Sequence, residues 1–127
     1  MKHKVFVYGT LKAGYCNHYL LQGKIAQPAI ALQIQLHAGP DYPFAIRGQG
    51  NAHGEVYEID EITLQALDQL EQEHDDYYRE LTPVILDTQQ EIMAWIYLNY
   101  KAFRYPCLPN GVWCHSSKSQ FEIVATM

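Results

Sequence analysis

Polar and apolar positions alternate along most of this chain, and the pattern changes period once. Residues 5–7, Val-Phe-Val, form a short apolar run that predicts a buried first strand ending at Tyr8-Gly9. Residues 29–36 and 42–46 have strand character, separated by a turn at Gly39-Pro40-Asp41. Pro43 lacks an N–H, so the second of these reads as a short or edge strand. Residues 54–59 predict a strand that feeds a helix. In that helix Leu64, Leu67 and Leu70 make an apolar stripe, while Gln65, Gln69 and Gln72 face away. Asp60 is a suitable N-cap, and Ile59 can staple onto Leu64. Residues 79–86 and 91–98 predict a hairpin around the turn at 87–90. In the second of these strands Ile92, Ala94 and Ile96 alternate with Met93, Trp95 and Tyr97, so both faces are apolar and the strand is expected to be central. Pro106, Pro109 and Gly111 then break the pattern into a tail, where residues 121–124 could add a little structure. The expected fold is α+β: a mixed, strongly curved sheet, one main helix and a short accessory helix at 17–21.

Glu71 departs from the helix pattern. It lies four residues after Leu67 and seven after Leu64, so it projects from the apolar face. Two readings follow. The residue ends the helix and its carboxylate reaches water, or it sits in a pocket, where desolvation raises its pKa into the range useful for proton transfer. Asp68 lies at the edge of the stripe and is expected to matter less.

The end of the first strand carries further candidate chemistry. Tyr8-Gly9-Thr10-Leu11-Lys12-Ala13-Gly14 places two glycines where the backbone can turn and present N–H groups to a carboxylate or an oxyanion. The same composition also suits a plain turn.

These motifs, in this order, resemble the gamma-glutamylcyclotransferase-like family. The match is to its small branch of gamma-glutamylamine cyclotransferases and their bacterial relatives. The first motif stands here as Val7-Tyr8-Gly9-Thr10-Leu11-Lys12-Ala13-Gly14 with Asn17-His18 following. The second is Gly54-Glu55-Val56-Tyr57, and the third is Leu67-Asp68-Gln69-Leu70-Glu71 with Tyr78-Arg79. The resemblance spans the chain to about residue 100. One departure is Gln72, where many members have Gly. The resemblance implies a small, partly closed β-barrel with the site at one end. It assigns the catalytic role to Glu71 and the substrate-cradling loop to Tyr8, Gly9, Thr10 and Leu11. The residues themselves add Tyr78 to the substrate-binding set, Tyr97 is a pocket or core residue, and Arg79 could hold a carboxylate or pair with a neighbouring acid such as Glu80 or Asp76. The resemblance implies conversion of a γ-glutamyl amide, in this branch a γ-glutamyl-amine, to 5-oxoproline and free amine, without metal or cofactor. A non-catalytic module that binds γ-glutamyl compounds is the alternative from another class.

Composition narrows the setting. At 127 residues the chain suits one domain, and a net charge of −5 argues against a nucleic-acid partner. No apolar run approaches the ~20 residues of a membrane-spanning helix, and no signal-peptide pattern opens the chain, so a cytoplasmic location is expected. Ten tyrosines can line a polar pocket or fill a barrel. Three cysteines do not form a disulfide framework. Cys107, Cys114 and His115 fit no paired zinc spacing, and the six histidines are scattered. A Cys16–His18 nucleophile lacks an orienting group. Expected partners are therefore small molecules. The charge of the acids at 71, 73, 75 and 76 near the pocket mouth would favour a cationic leaving group. Oligomeric state is not legible.

Overall fold

The computed structural model describes residues 2–9, 21, 23–40, 42–75 and 77–113, with the side chains of 73–75 outside the description. The elements run β1 (Lys2–Val7), β2 (Gln27–Ala38), β3 (Pro43–Asp60), α1 (Glu61–Asp75), β4 (Tyr78–Leu86) and β5 (Glu91–Leu98). A short 3₁₀ helix, Tyr100–Arg104, follows. The sheet closes on itself in the order β1-β3-β2-β4-β5. Four neighbouring pairs are antiparallel; β1 and β5 are parallel and meet at Val5 and Trp95. The sheet is thus mixed, and β5 is central as its two apolar faces predict.

Alternation along the strands sorts the apolar side chains into two cores. Phe6, Ala31, Ile34, Ala52, Val84 and Ile96, drawn from all five strands, pack together inside the ring. The opposite faces of β1, β3 and β5 supply Val5, Val7, Tyr57, Ile59 and Tyr97, which pack with Leu64 and Leu67 of α1. Burying both faces of these strands explains why α1 lies against them, since its leucine stripe packs into the same core. The helix begins as the sequence predicts. Asp60 Oδ1 accepts from the Thr63 N–H at 2.8 Å, and Ile59 and Leu64 share one core.

One expectation about the strands changes. Residues 42–46 are no isolated edge strand. Pro43 opens an 18-residue strand that runs through Gly48, Gly50 and Gly54 to Asp60. As the first residue of the strand, Pro43 loses little by having no N–H. The long pairing of β3 with β2 is broken once, between Leu32 and Ile34, where Gln33 takes φ 56°. That bulge bends the hairpin and lets it curl into the ring. The ring forms where β5 reaches β1, at Val5 and Trp95. The expected accessory helix at 17–21 lies, apart from buried Leu21, outside the described residues, as do residues 121–124.

After the 3₁₀ helix the chain returns along the sheet. Ala38 N–H donates to Pro106 O, Leu108 N–H to Leu36 O, and His53 N–H to Gly111 O. Gly111 has φ 70°, and a Cβ there would meet the Asn51 carbonyl oxygen. Only glycine permits this close approach, which carries Trp113 into the inner core.

Candidate functional site

The site is built where β1 ends, where α1 makes its last turns and where β4 begins. β1 ends at Val7, so Tyr8 and Gly9 leave the sheet beside the hairpin end of β3. Both are buried. A Cβ on Gly9 would lie 3.0 Å from the Pro43 ring carbons, so a side chain there would press on that ring. Thr10, Leu11, Cys16, Asn17 and His18 lie outside the described residues, as do Cys114 and His115.

Glu71 is not the last residue of the helix. α1 continues one further turn to Asp75, and the Glu71 backbone carbonyl accepts from the Tyr77 N–H at 3.4 Å. The side chain is largely buried on the inward stripe, beyond Leu64 and Leu67. Burial pushes its carboxyl from the ordinary range up to about 7. The reading of a solvated helix-end carboxylate therefore gives way to that of a desolvated one. Two phenols feel its charge. Burial first and then Glu71 raise the Tyr8 hydroxyl well above the ordinary tyrosine value. Tyr97 is raised as well, by burial, by its bond to Asp68 and by Glu71.

Tyr8 donates its hydroxyl to the backbone carbonyl of Tyr97, which ties the end of β1 to β5. Tyr78, the first residue of β4, packs half-buried against the inner core and stacks on Tyr100 at 5.1 Å between ring centroids. Its hydroxyl is raised by burial and by Tyr100, and it adds to the field at Tyr8. The structure thus brings Tyr8, Glu71, Tyr78 and Tyr97 to one end of the ring. Tyr77 faces elsewhere: its hydroxyl donates to the Pro43 carbonyl at 2.7 Å.

Arg79 has a different partner from the neighbouring acids the sequence suggests. Its guanidinium grips Asp68, Nε to Oδ1 at 2.7 Å and Nη2 to Oδ2 at 3.1 Å, and lies 4.2 Å over the Trp95 ring. Tyr97 donates to the same Asp68 oxygen at 2.7 Å. Glu80 pairs instead with Arg47, which also donates to the Leu81 carbonyl and the Thr82 hydroxyl. Asp68 gathers more polar contacts than its place at the edge of the stripe suggests. Its position three residues before Glu71, on the same helical face, is the signal that could have marked it.

Among the described residues no group of three or more His, Cys, Asp and Glu side chains is arranged to hold a metal ion, and no helix is long and apolar enough to cross a membrane. Cys107 is exposed.

The sequence pattern of the family described as "Gamma-glutamyl cyclotransferase, AIG2-like" matches residues 5–115. The chain belongs to this gamma-glutamyl cyclotransferase family. A Vibrio cholerae protein provisionally named a gamma-glutamylcyclotransferase is 37% identical over 117 residues, covering 90% of this chain and 97% of its own. The crystal structure of YkqA from Bacillus subtilis superposes with a TM-score of 0.78 at 28% identity. It covers 94% of this chain, which spans 43% of that protein. The mouse AIG2-like protein superposes with a TM-score of 0.71 at 24% identity over 89% of this chain and 88% of its own, a likeness of fold. Family membership supports a cyclotransferase-like activity on a small-molecule substrate.

Proposed function

We propose that this protein converts a γ-glutamyl amide to 5-oxoproline and a free amine, with Glu71 as general base and then general acid. The observation that carries the reading is the carboxyl of Glu71, raised to about 7 by burial beside Tyr8. A group that titrates there can both take and return a proton near neutral pH.

The reaction balances without a second substrate. The α-nitrogen of the γ-glutamyl group attacks its own side-chain carbonyl, and a C–N bond forms to close a five-membered ring. Glu71 removes the proton from that nitrogen. The bond to the leaving amine then breaks, and Glu71 protonates that amine as it departs. Because the nucleophile is part of the substrate, much of the acceleration comes from holding the chain in its folded-back form. The N–H groups of Gly9, Thr10 and Leu11 are assigned to the substrate carboxylate or the oxyanion, Tyr8 to the wall beside the reacting atoms, and Tyr78 to the pocket mouth. No step requires a metal or cofactor. The resemblance to the gamma-glutamylamine branch assigns a γ-glutamyl-amine as the substrate class.

A panel of γ-glutamyl amides tests this, with 5-oxoproline read by chromatography. γ-Glutamyl-ε-lysine is expected to turn over faster than glutathione or γ-glutamyl-glutamate. Release of 5-oxoproline from no member would overturn the reaction, and a thermal shift without product would make the protein a binding module.

Gly9→Val is a second check. The added methyl groups must displace the Pro43 ring and move the turn. Binding of 5-oxoproline, measured by calorimetry, is expected to weaken by about tenfold, or about 1.4 kcal/mol. Undiminished affinity would reduce this segment to a plain turn.

A further inference from the structure

The Asp68 carboxylate has a place in the fold that its sequence position does not suggest. It lies on α1, one helical turn before Glu71, and three donors converge on it from two strands. Arg79 of β4 supplies two and the Tyr97 hydroxyl of β5 supplies the third. Asp68 and Arg79 are 27% and 26% exposed, so their contact is partly shielded from solvent. Trp95 of β5 covers the outer face of the guanidinium and holds its plane. The network then continues through the backbone of the same tyrosine, whose carbonyl receives the Tyr8 hydroxyl at the end of β1. One side chain thereby links the helix carrying Glu71 to the strands that carry Tyr8, Tyr78 and Tyr97. Leu64 and Leu67 turn this face of the helix inward through apolar contact. The two-point Arg79 contact adds a directional polar constraint at Asp68.

We propose that Asp68 is a positioning residue for Glu71: its bonds to Arg79 and Tyr97 fix the rotation and register of α1, so that the Glu71 carboxyl stands beside the Tyr8 hydroxyl. The inference rests on the proposed role of Glu71 and deepens it. Asp68 does not touch the substrate. It acts through the helix and through Tyr97.

Burial gives a readout separate from folding. Among the described residues, Tyr8 of β1 and Tyr97 of β5 are ionisable groups that feel the Glu71 charge, and Asp68 of its own helix pairs with Arg79 of β4. The Glu71 carboxyl is raised by burial, so its midpoint reports how deeply α1 seats it. Asp68→Asn weakens the tie to Arg79 and lets the helix shift, and water reaching Glu71 then favours its ionised form.

The experiment titrates the Glu71 carboxyl by carbon-detected NMR in the wild type and in Asp68→Asn, and measures kcat and KM for 5-oxoproline release in both. The Glu71 midpoint is expected to fall by about half a unit or more in the variant. A misplacement of about 1 Å can cost as much as 10²-fold, so kcat is expected to fall by about 10- to 100-fold while KM changes by less than about threefold. Arg79→Lys keeps the charge but loses the fork, and serves where Asp68→Asn folds poorly. It is expected to lower kcat and to move the Glu71 midpoint in the same direction as Asp68→Asn. An unmoved Glu71 titration in Asp68→Asn, or wild-type kcat in Arg79→Lys, would overturn the positioning role. Wild-type protein that releases no 5-oxoproline would overturn the proposed reaction instead, and the titration alone then decides whether Asp68 sets the environment of Glu71.

Discussion

Glu71→Gln is expected to lower turnover of the best γ-glutamyl amide by about 100-fold or more, the scale of losing a general base, while the protein stays folded. The amide keeps the size of the side chain and most of its hydrogen bonding but cannot accept the proton of the attacking nitrogen. The same substitution should stabilise the fold at high pH. The Glu71 carboxyl rises from its ordinary value to about 7 in the folded state. Between the unfolded and folded values the native state holds a proton that the unfolded chain has released. Stability from this group is therefore complete below the unfolded value and is lost as pH rises towards 7. Above that pH the wild type carries a buried charge that the glutamine lacks. The variant should then unfold at higher denaturant, by about 1–3 kcal/mol at pH 8, with the gain vanishing near pH 4. In the wild type, kcat/KM should rise with pH through a limb near 7 as Glu71 ionises. Retained turnover in the variant, or a profile flat from pH 5 to 8, would remove Glu71 from the mechanism.

Gly54→Ala is expected to damage the fold rather than the chemistry. A Cβ at this position would lie 2.2 Å from the Val7 carbonyl oxygen and 2.8 Å from Cζ of Phe6. The first contact is with backbone, which no rotamer change relieves. β1 pairs with β3 through Val7 opposite Glu55, so the added methyl pushes out the end of β1, where Tyr8 and Gly9 begin. Overpacking of this kind typically costs 1–3 kcal/mol, and a backbone clash belongs at the upper end, so a loss of about 3 kcal/mol is expected. For a domain of this size that lowers the melting temperature by about 10 °C. A variant melting within a degree or two of wild type would mean that β1 can shift freely, and the requirement for glycine in the Gly-Glu-Val-Tyr motif would need another cause.

The difference between these two sites reflects what a chain can encode locally. The helix was legible because a cap at Asp60 and a leucine stripe at helical spacing lie within one window. β4 and β5 were legible because alternation and a turn at 87–90 flank each other. The prominence of Glu71 follows from the same periodicity, since a carboxylate on an apolar face stands out whatever surrounds it.

Tertiary structure alone decided what those elements meet. β3 read as two strands, 42–46 and 54–59, with Gly48 and Gly50 between them. Pairing with the long β2 holds them in one strand, through backbone hydrogen bonds that no local pattern records. Closure of the ring through parallel β1 and β5 joins residues ninety positions apart, Val5 and Trp95. The partner of Arg79 was misplaced for the same reason: adjacent acids are near in sequence, but the folded sheet turns the guanidinium across to Asp68 on the helix. Sequence determined that Glu71 would face inward. The tertiary structure decided that it is largely buried and that Tyr8 and Tyr97 feel its charge, because desolvation and the field at a carboxylate are set by the neighbours that close around it.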